Sequence, residues 1–135
     1  MNQRQGLYVS YNEDKNGPFD EAVEISKTRG CVTWLDSFKL NPKQLHYPTD
    51  IFIRLTGPQE RYFKGTLLAI APRETLPANF LDGERNHRPP VWQQRDHAKG
   101  DFKSVLFISH LQRLDSQPLE VKNSAPPQHP TYVDL

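Results

Sequence analysis

The stretch TDIFIRLTGPQERYFKGTLLAI at residues 49–70 constrains the fold most, because it predicts two consecutive β-strands joined by a tight turn. In residues 50–56, Ile51, Ile53 and Leu55 share one face of the first strand, as expected for a strand that buries that face. The sequence GPQE that follows is typical of a hairpin turn, and residues 61–71 are predicted to form the returning strand. We therefore expect a β-hairpin within a larger sheet.

Gly65 interrupts the second of these strands. Glycine is disfavoured inside a strand, because it loses the most backbone entropy on folding and has no side chain to pack. Two interpretations account for it: the strand bends or bulges there, or a ligand or another backbone approaches closely. We favour the bend.

Residues 16–30, NGPFDEAVEISKTRG, carry the signals of a helix. Asn16 or Gly17 can cap its start, Pro18 suits its first turn, and Gly30 can supply a left-handed stop. Its apolar side chains lie along one stripe, so we expect this helix to cover a sheet.

The remaining segments predict an α+β fold. Strands are expected at residues 6–11, 31–35 and 103–111, whereas residues 72–101 contain four prolines and two glycines and predict a long loop. One helix with several strands at hairpin spacing favours a small, strongly bent antiparallel sheet or open β-barrel, with one main helix packed on it.

Length and composition suggest how the chain is divided. At 135 residues it suits one domain, which we place at residues 1–114. Residues 115–135 are polar and proline-rich, and we expect them to form a disordered tail or linker.

Charge and cysteine content bear on partners and compartment. Net charge is +1, but residues 51–103 hold nine Lys or Arg against six Asp or Glu, a bias that favours a phosphate-bearing partner only mildly. No apolar run is long enough to cross a membrane, and residues 1–14 lack the apolar core of a secretory signal. Cys31 is alone, which fits a reducing compartment. We expect a cytoplasmic protein that does not enter a membrane.

The case for catalysis is weak. Cys31 with His46 or His110 would make a thiolate pair, but a lone cysteine on a strand is usually a small core residue. Three residues of the long loop could act as acid or base groups, namely His87, Asp96 and His97. No spacing typical of a metal site or a phosphate-binding loop is present. We expect no catalytic residues, no metal and no cofactor.

The two tryptophans are more informative. Trp34 ends the predicted strand CVTW, and Trp92 lies in the polar, proline-rich segment HRPPVWQQRDH. A Trp in such a loop either closes the core or forms the wall of a pocket, and the sequence leaves both open. Basic residues lie near both predicted elements: Arg54, Arg61 and Lys64 on the hairpin, and Arg85, Arg88 and Arg95 around Trp92. Aromatic rings interleaved with cations favour nucleic acid, whose bases stack on rings and whose phosphates pair with cations.

Taken together, the layout resembles the PUA-like superfamily, and within it the EVE-like domains related to YTH domains. An N-terminal strand and helix precede CVTWLDSFKL and the hairpin segment YPTDIFIRLTGPQERYFKGTLLAI. A loop with Trp, PPVWQQRD, and a closing strand, KSVLFISHLQRL, complete the match over residues 6–114. The family often has Gly-Asp before the central strand, where this chain has Thr49-Asp50.

The resemblance implies a small bent barrel that captures a modified or flipped-out base, as in readers of modification-dependent defence and restriction systems. It implies a base pocket formed by Trp34, Trp92 and Tyr8. Contacts to the nucleic-acid backbone, DNA or RNA, would come from Arg54, Lys64, Arg88 and Arg95. The main alternative is a protein-interaction module, a phage or defence accessory that binds its partner through a sheet edge or the proline-rich C-terminal tail.

Overall fold

The computed structural model describes residues 4–93, 102–122 and 124–135, which form an α+β fold built on one six-stranded sheet. The strands are β1 (Gln5–Asn12), β2 (Val32–Asp36), β3 (Thr49–Thr56), β4 (Arg61–Pro72), β5 (Ser104–Leu114) and β6 (Thr131–Asp134). The α-helices with bounds inside these ranges are α1 (Glu13–Asn16), α2 (Asp20–Thr28) and α3 (Phe80–Gly83). No helix of the described ranges is long and apolar enough to cross a membrane.

The strand order is β2-β5-β4-β3-β1-β6. Four of the pairings are antiparallel, as expected, but β1 and β3 are parallel, with Leu7 opposite Ile51. A parallel pair needs a long crossover, and here the intervening chain carries α2 and the edge strand β2.

The sheet curves enough for side chains of two distant strands to meet. In strand order β1 and β2 are four positions apart, which in a flat sheet corresponds to about 19 Å at the usual strand spacing. Nevertheless, the rings of Tyr11 in β1 and Trp34 in β2 have centroids 5.8 Å apart. Curvature therefore brings these two strands together, although no pairing between them closes the sheet within the described residues.

The predicted hairpin is confirmed as β3 and β4, and Gly65 lies opposite a bulge. The pairing with β5 shifts register between Lys64 and Thr66, where His110 has a φ of 53°. A Cβ on Gly65 would lie 2.9 Å from side-chain carbons of both Ile108 and Leu111. The bulge and this tight packing explain the glycine, because the space in front of its Cα is filled by β5 rather than open to a ligand.

The predicted helix is confirmed as α2. It spans Asp20–Thr28 and is therefore shorter at both ends than the segment 16–30 that carries its sequence signals. Phe19 occupies the N-cap position, and the residue after the C-cap, Gly30, has a φ of 86°. Ala22 and Ser26 are buried, and the Ser26 hydroxyl accepts a hydrogen bond from the Leu111 N–H of β5 at 3.3 Å. The helix thus packs on one face of the sheet.

Both faces of the central strands are covered. One face carries the main core, which includes Leu7, Val9, Tyr11, Phe19, Ala22, Ile51, Ile53, Leu55, Phe63 and Leu67. On the other face of β1 and β3, Tyr8 and Phe52 pack with Val121 and Val133. This second cluster lies beneath the C-terminal segment.

The expectation of a disordered C-terminal tail is therefore wrong. Residues Leu119–Val121 form a 3₁₀ turn, and β6 pairs antiparallel with β1, with Val133 opposite Gly6. The prediction followed the polar, proline-rich composition and gave no weight to two apolar residues, Val121 and Val133, which are 0% and 5% exposed. Burying them covers Tyr8 and Phe52, which stabilises an ordered tail.

Candidate functional site

The two tryptophans predicted as a pocket lie together where the curved sheet brings β1 towards β2. Trp34 is on β2, and Trp92 is in a helical turn at residues 90–93. Their ring centroids are 5.9 Å apart, and each ring also contacts Tyr11, at 5.8 Å for Trp34 and 5.6 Å for Trp92. The three rings form one cluster, held by edge-to-face and tilted contacts that aromatic side chains prefer.

Hydrogen bonds fix the two indoles differently. The Nε1–H of Trp92 donates to the Tyr11 hydroxyl at 2.7 Å, and that hydroxyl lies 2.8 Å from the carbonyl oxygens of both Asn16 and Gly17. Trp92 is only 8% exposed and belongs to the core. Trp34 is half-buried, and its Nε1–H donates to Oδ2 of Asp36 at 3.3 Å. Trp92 therefore supports the ring of Trp34, which retains an exposed part.

A polar cleft of about 200 Å³ adjoins this cluster. It lies between β1, the end of β2 and the C-terminal segment, and it is lined by Val9, Ser10, Leu35, Asp36, Ser37, Phe38, Gln128, His129 and Pro130. The rings of Phe38 and His129 have centroids 5.1 Å apart at an interplanar angle of 45°. We call this space the Asp36 cleft.

Asp36 connects the cleft to the aromatic cluster. Its Oδ1 accepts the N–H of Phe38 at 2.9 Å, while its Oδ2 accepts the indole N–H of Trp34. Burial raises the pKa of the Asp36 carboxyl group, and both hydrogen bonds and the nearby His129 oppose that rise. A carboxylate at this position can accept a hydrogen bond from an amino group of a ligand, beside rings on which a flat ligand can stack.

Three of the predicted site residues lie elsewhere, on the face of the sheet opposite the tryptophans. Tyr8 is 1% exposed and packs with Phe52. Arg54 pairs with Glu60 at 3.1 Å, and Lys64 pairs with Asp50 at 3.7 Å. The structure thus places Tyr8 away from Trp34, and it gives both hairpin cations an acidic neighbour.

The two predicted cations of the long loop are Arg88 and Arg95. Arg88, expected to contact the nucleic-acid backbone, is 1% exposed, and its guanidinium donates to the carbonyl oxygen of Leu81 at 3.0 Å. A side chain so placed ties the loop to α3 rather than presenting its charge at the surface. Arg95 lies outside the described residues.

Two residues considered for catalysis, Cys31 and His87, lie near the carboxylate of Glu84. Burial and the carboxylate of Glu84 raise the pKa of the Cys31 thiol, which disfavours the thiolate needed for nucleophilic attack. Nδ1 of His87 lies 2.8 Å from Oε2 of Glu84. Asp96 and His97 lie outside the described residues.

Sequence reasoning missed several residues of this site. Neither Tyr11 nor Asp36 was predicted as a site residue from the sequence; the Asp36 carboxylate accepts the Phe38 N–H, as a local cap would. His129 was missed because the tail was expected to be disordered. Alternation in β1 could have indicated Tyr11, and the spacing of Trp34 and Asp36, two residues apart on one strand, could have indicated Asp36. The contacts of His129 join distant segments.

Comparison with protein-family models, with curated proteins and with solved structures finds no match to this chain. A function must therefore be argued from the chemistry of the site itself.

Proposed function

We propose that this chain is a non-catalytic, cytoplasmic nucleic-acid-binding module of PUA-like, EVE-like fold, and that it captures one modified or flipped-out base in the Asp36 cleft. The observation that carries the proposal is the hydrogen bond from Trp34 to Asp36, which joins a half-buried aromatic ring to a polar cleft. The curvature that brings β1 to β2 supports the open-barrel interpretation, because it creates the cleft at the gap between them.

The size and lining of the cleft suit a single base. A dry cavity of roughly 150 Å³ holds a benzene molecule, so about 200 Å³ suffices for one heterocycle. Stacking on an aromatic ring contributes about 1–3 kcal/mol per base, which can offset the few kcal/mol of unstacking that base capture costs. Phe38 and His129 border the cleft as further rings.

Asp36 supplies the hydrogen-bonding part of the proposal. A carboxylate accepts hydrogen bonds from the exocyclic amino group of a base, as Asp and Glu do towards cytosine. Because the carboxylate is held by the Phe38 N–H and the Trp34 indole, it is oriented before a ligand enters. We therefore expect a preference for bases that carry an amino group.

A binding experiment with two readouts tests this function. Labelled single- and double-stranded oligonucleotides, unmodified or carrying 5-methylcytosine or N6-methyladenine, are titrated at low salt while anisotropy and tryptophan fluorescence are recorded. We expect saturable quenching that disappears in Trp34→Phe and persists in Trp92→Phe. The Asp36→Asn variant should bind about 5- to 150-fold more weakly, corresponding to roughly 1–3 kcal/mol.

A matched control is Asp82→Asn, whose carboxylate is 69% exposed on α3 and should be neutral. If no oligonucleotide binds at low salt, the proposal is overturned. That result would favour the protein-interaction alternative, with a sheet edge or the C-terminal segment as the contact surface.

A further inference from the structure

A second concave surface lies close to the Asp36 cleft. It has a volume of about 860 Å³ and is lined by Lys39, Arg73, Glu74, Leu76, Phe102 and Lys103. Among these described residues, three side chains are cationic and one is anionic. We call it the basic groove. None of its cations was singled out in the sequence, where they are far apart.

The Arg73 guanidinium is held in place within this groove. It lies 4.5 Å from the centroid of the Phe102 ring and donates to the Phe102 carbonyl oxygen at 3.2 Å. The backbone N–H of Arg73 also donates to the carbonyl oxygen of Lys103 at 2.9 Å. Because cation–π and hydrogen-bond contacts orient the planar guanidinium, little entropy is lost when it meets an anion.

The Lys39 ammonium remains accessible to a ligand. Lys39 pairs with Glu74 at 3.6 Å, but these side chains are 69% and 63% exposed. Such exposed pairs contribute little, since water and salt screen them. An arriving phosphate can therefore compete for Lys39 at small cost.

The groove and the cleft share one segment of chain. Phe38 borders the cleft, and the next residue, Lys39, borders the groove. Lys103 borders the groove as well, and its backbone N–H donates to the carbonyl oxygen of Asp36 at 2.8 Å. The cleft and the groove therefore adjoin along the segment from Asp36 to Lys39.

We propose that the basic groove binds the phosphodiester backbone of the single strand whose base occupies the Asp36 cleft. This inference rests on the proposed function and replaces the hairpin cations as the phosphate contacts. Arg54 and Lys64 each pair with a carboxylate of the hairpin, whereas the described lining of the groove has three cations and one carboxylate. Leu76 adds a half-buried apolar side chain against which a sugar can pack.

The salt dependence of binding tests the groove. For single strands, log K decreases with log salt, and the magnitude of this slope becomes smaller by about 0.7 for each phosphate contact that is lost. The double variant Lys39→Gln/Lys103→Gln should therefore lower the magnitude of the slope by about 1.4, with tryptophan quenching at saturation retained. The matched control is Arg54→Gln/Lys64→Gln, which removes the same charge from the β3–β4 hairpin and should leave the slope unchanged.

The outcomes separate this inference from the proposed function. Base-dependent quenching with the same salt slope in the wild type and the groove variant overturns the groove and leaves the base site standing. A slope that depends on the groove, without base-dependent quenching, supports the groove and contradicts the base site. Binding of polyglutamate but no oligonucleotide, weakened by the groove variant, overturns both and assigns the groove to an acidic protein partner. Circular dichroism of each variant shows that the fold is retained.

Discussion

Replacing Tyr11 by Phe removes one oxygen atom from the centre of the aromatic cluster. That hydroxyl accepts the indole N–H of Trp92 at 2.7 Å and lies 2.8 Å from the carbonyl oxygens of Asn16 and Gly17. Phenylalanine keeps the ring contacts with Trp34 and Trp92, so the loss is confined to hydrogen bonding. A buried donor left unsatisfied costs about 1–3 kcal/mol. We expect Tyr11→Phe to lower the free energy of unfolding by about 2 kcal/mol, roughly a thirtyfold change in the folding equilibrium.

Urea unfolding followed by circular dichroism measures this loss, and a double-mutant cycle with Trp92→Phe isolates its cause. Trp92→Phe removes the donor, so Tyr11→Phe should cost less in that background, by about 1 kcal/mol. The remaining cost would reflect the carbonyl oxygens near Asn16 and Gly17. The midpoint should move without a change in the denaturant slope, as expected when stability alone changes.

An equal cost of Tyr11→Phe in both backgrounds would refute this reasoning. It would mean that the Trp92 indole does not depend on the Tyr11 hydroxyl. Trp92 would then not be anchored to β1 by that bond, and its support of Trp34 would have to come from ring packing alone.

Three other expectations can be checked by unfolding measurements. Gly65→Ala should destabilise the protein by about 1–3 kcal/mol, because its Cβ would meet side-chain carbons at 2.9 Å, whereas Gly83→Ala, with nothing within 4 Å, should change thermal stability little. Folding raises the pKa of Asp36, so the folded state binds the proton more tightly than the unfolded state. The wild type should therefore gain stability relative to Asp36→Asn as pH falls from the raised pKa towards the unfolded value of 3.8. A difference in unfolding free energy between the two proteins that stays constant with pH would argue against the shift. Val133→Asp should cost more than about 2 kcal/mol by placing a charge at a buried position, and no change in the urea midpoint would indicate that β6 is not docked in solution.

The elements that the sequence predicted are those whose signals are local. The hairpin is marked by alternation in residues 50–56 and a turn sequence, and α2 is marked by its apolar stripe and the glycine that follows. Neither signal depends on a distant partner. The parallel pairing of β1 with β3 and the docking of β6 depend on partners far along the chain, so no local pattern shows them.

The candidate site divides in the same way. Both tryptophans were selected as candidates from their local sequence. In the structure their ring centroids lie 5.9 Å apart. The resemblance placed Tyr8 in the same pocket, but Tyr8 lies on the face of the sheet opposite Tyr11. Alternation places Tyr8 and Tyr11 on opposite faces, whereas which rings meet across the sheet depended on its register and strand order.

Charge shows most clearly why a pattern of residues does not by itself define a binding surface. Arg54 and Lys64 lie on the predicted hairpin, where each pairs with a carboxylate and their side chains are only 20% and 38% exposed. Lys39 is also paired, with Glu74, but it is 69% exposed, so solvent screens that pair and a phosphate can compete for it. Lys39 and Lys103 are 64 positions apart, and the fold brings both to one groove beside the fixed guanidinium of Arg73. Net positive potential arises where cations outnumber nearby carboxylates in space. The groove meets that condition next to a cleft suited to one base, and this is why we look for the phosphate contacts there.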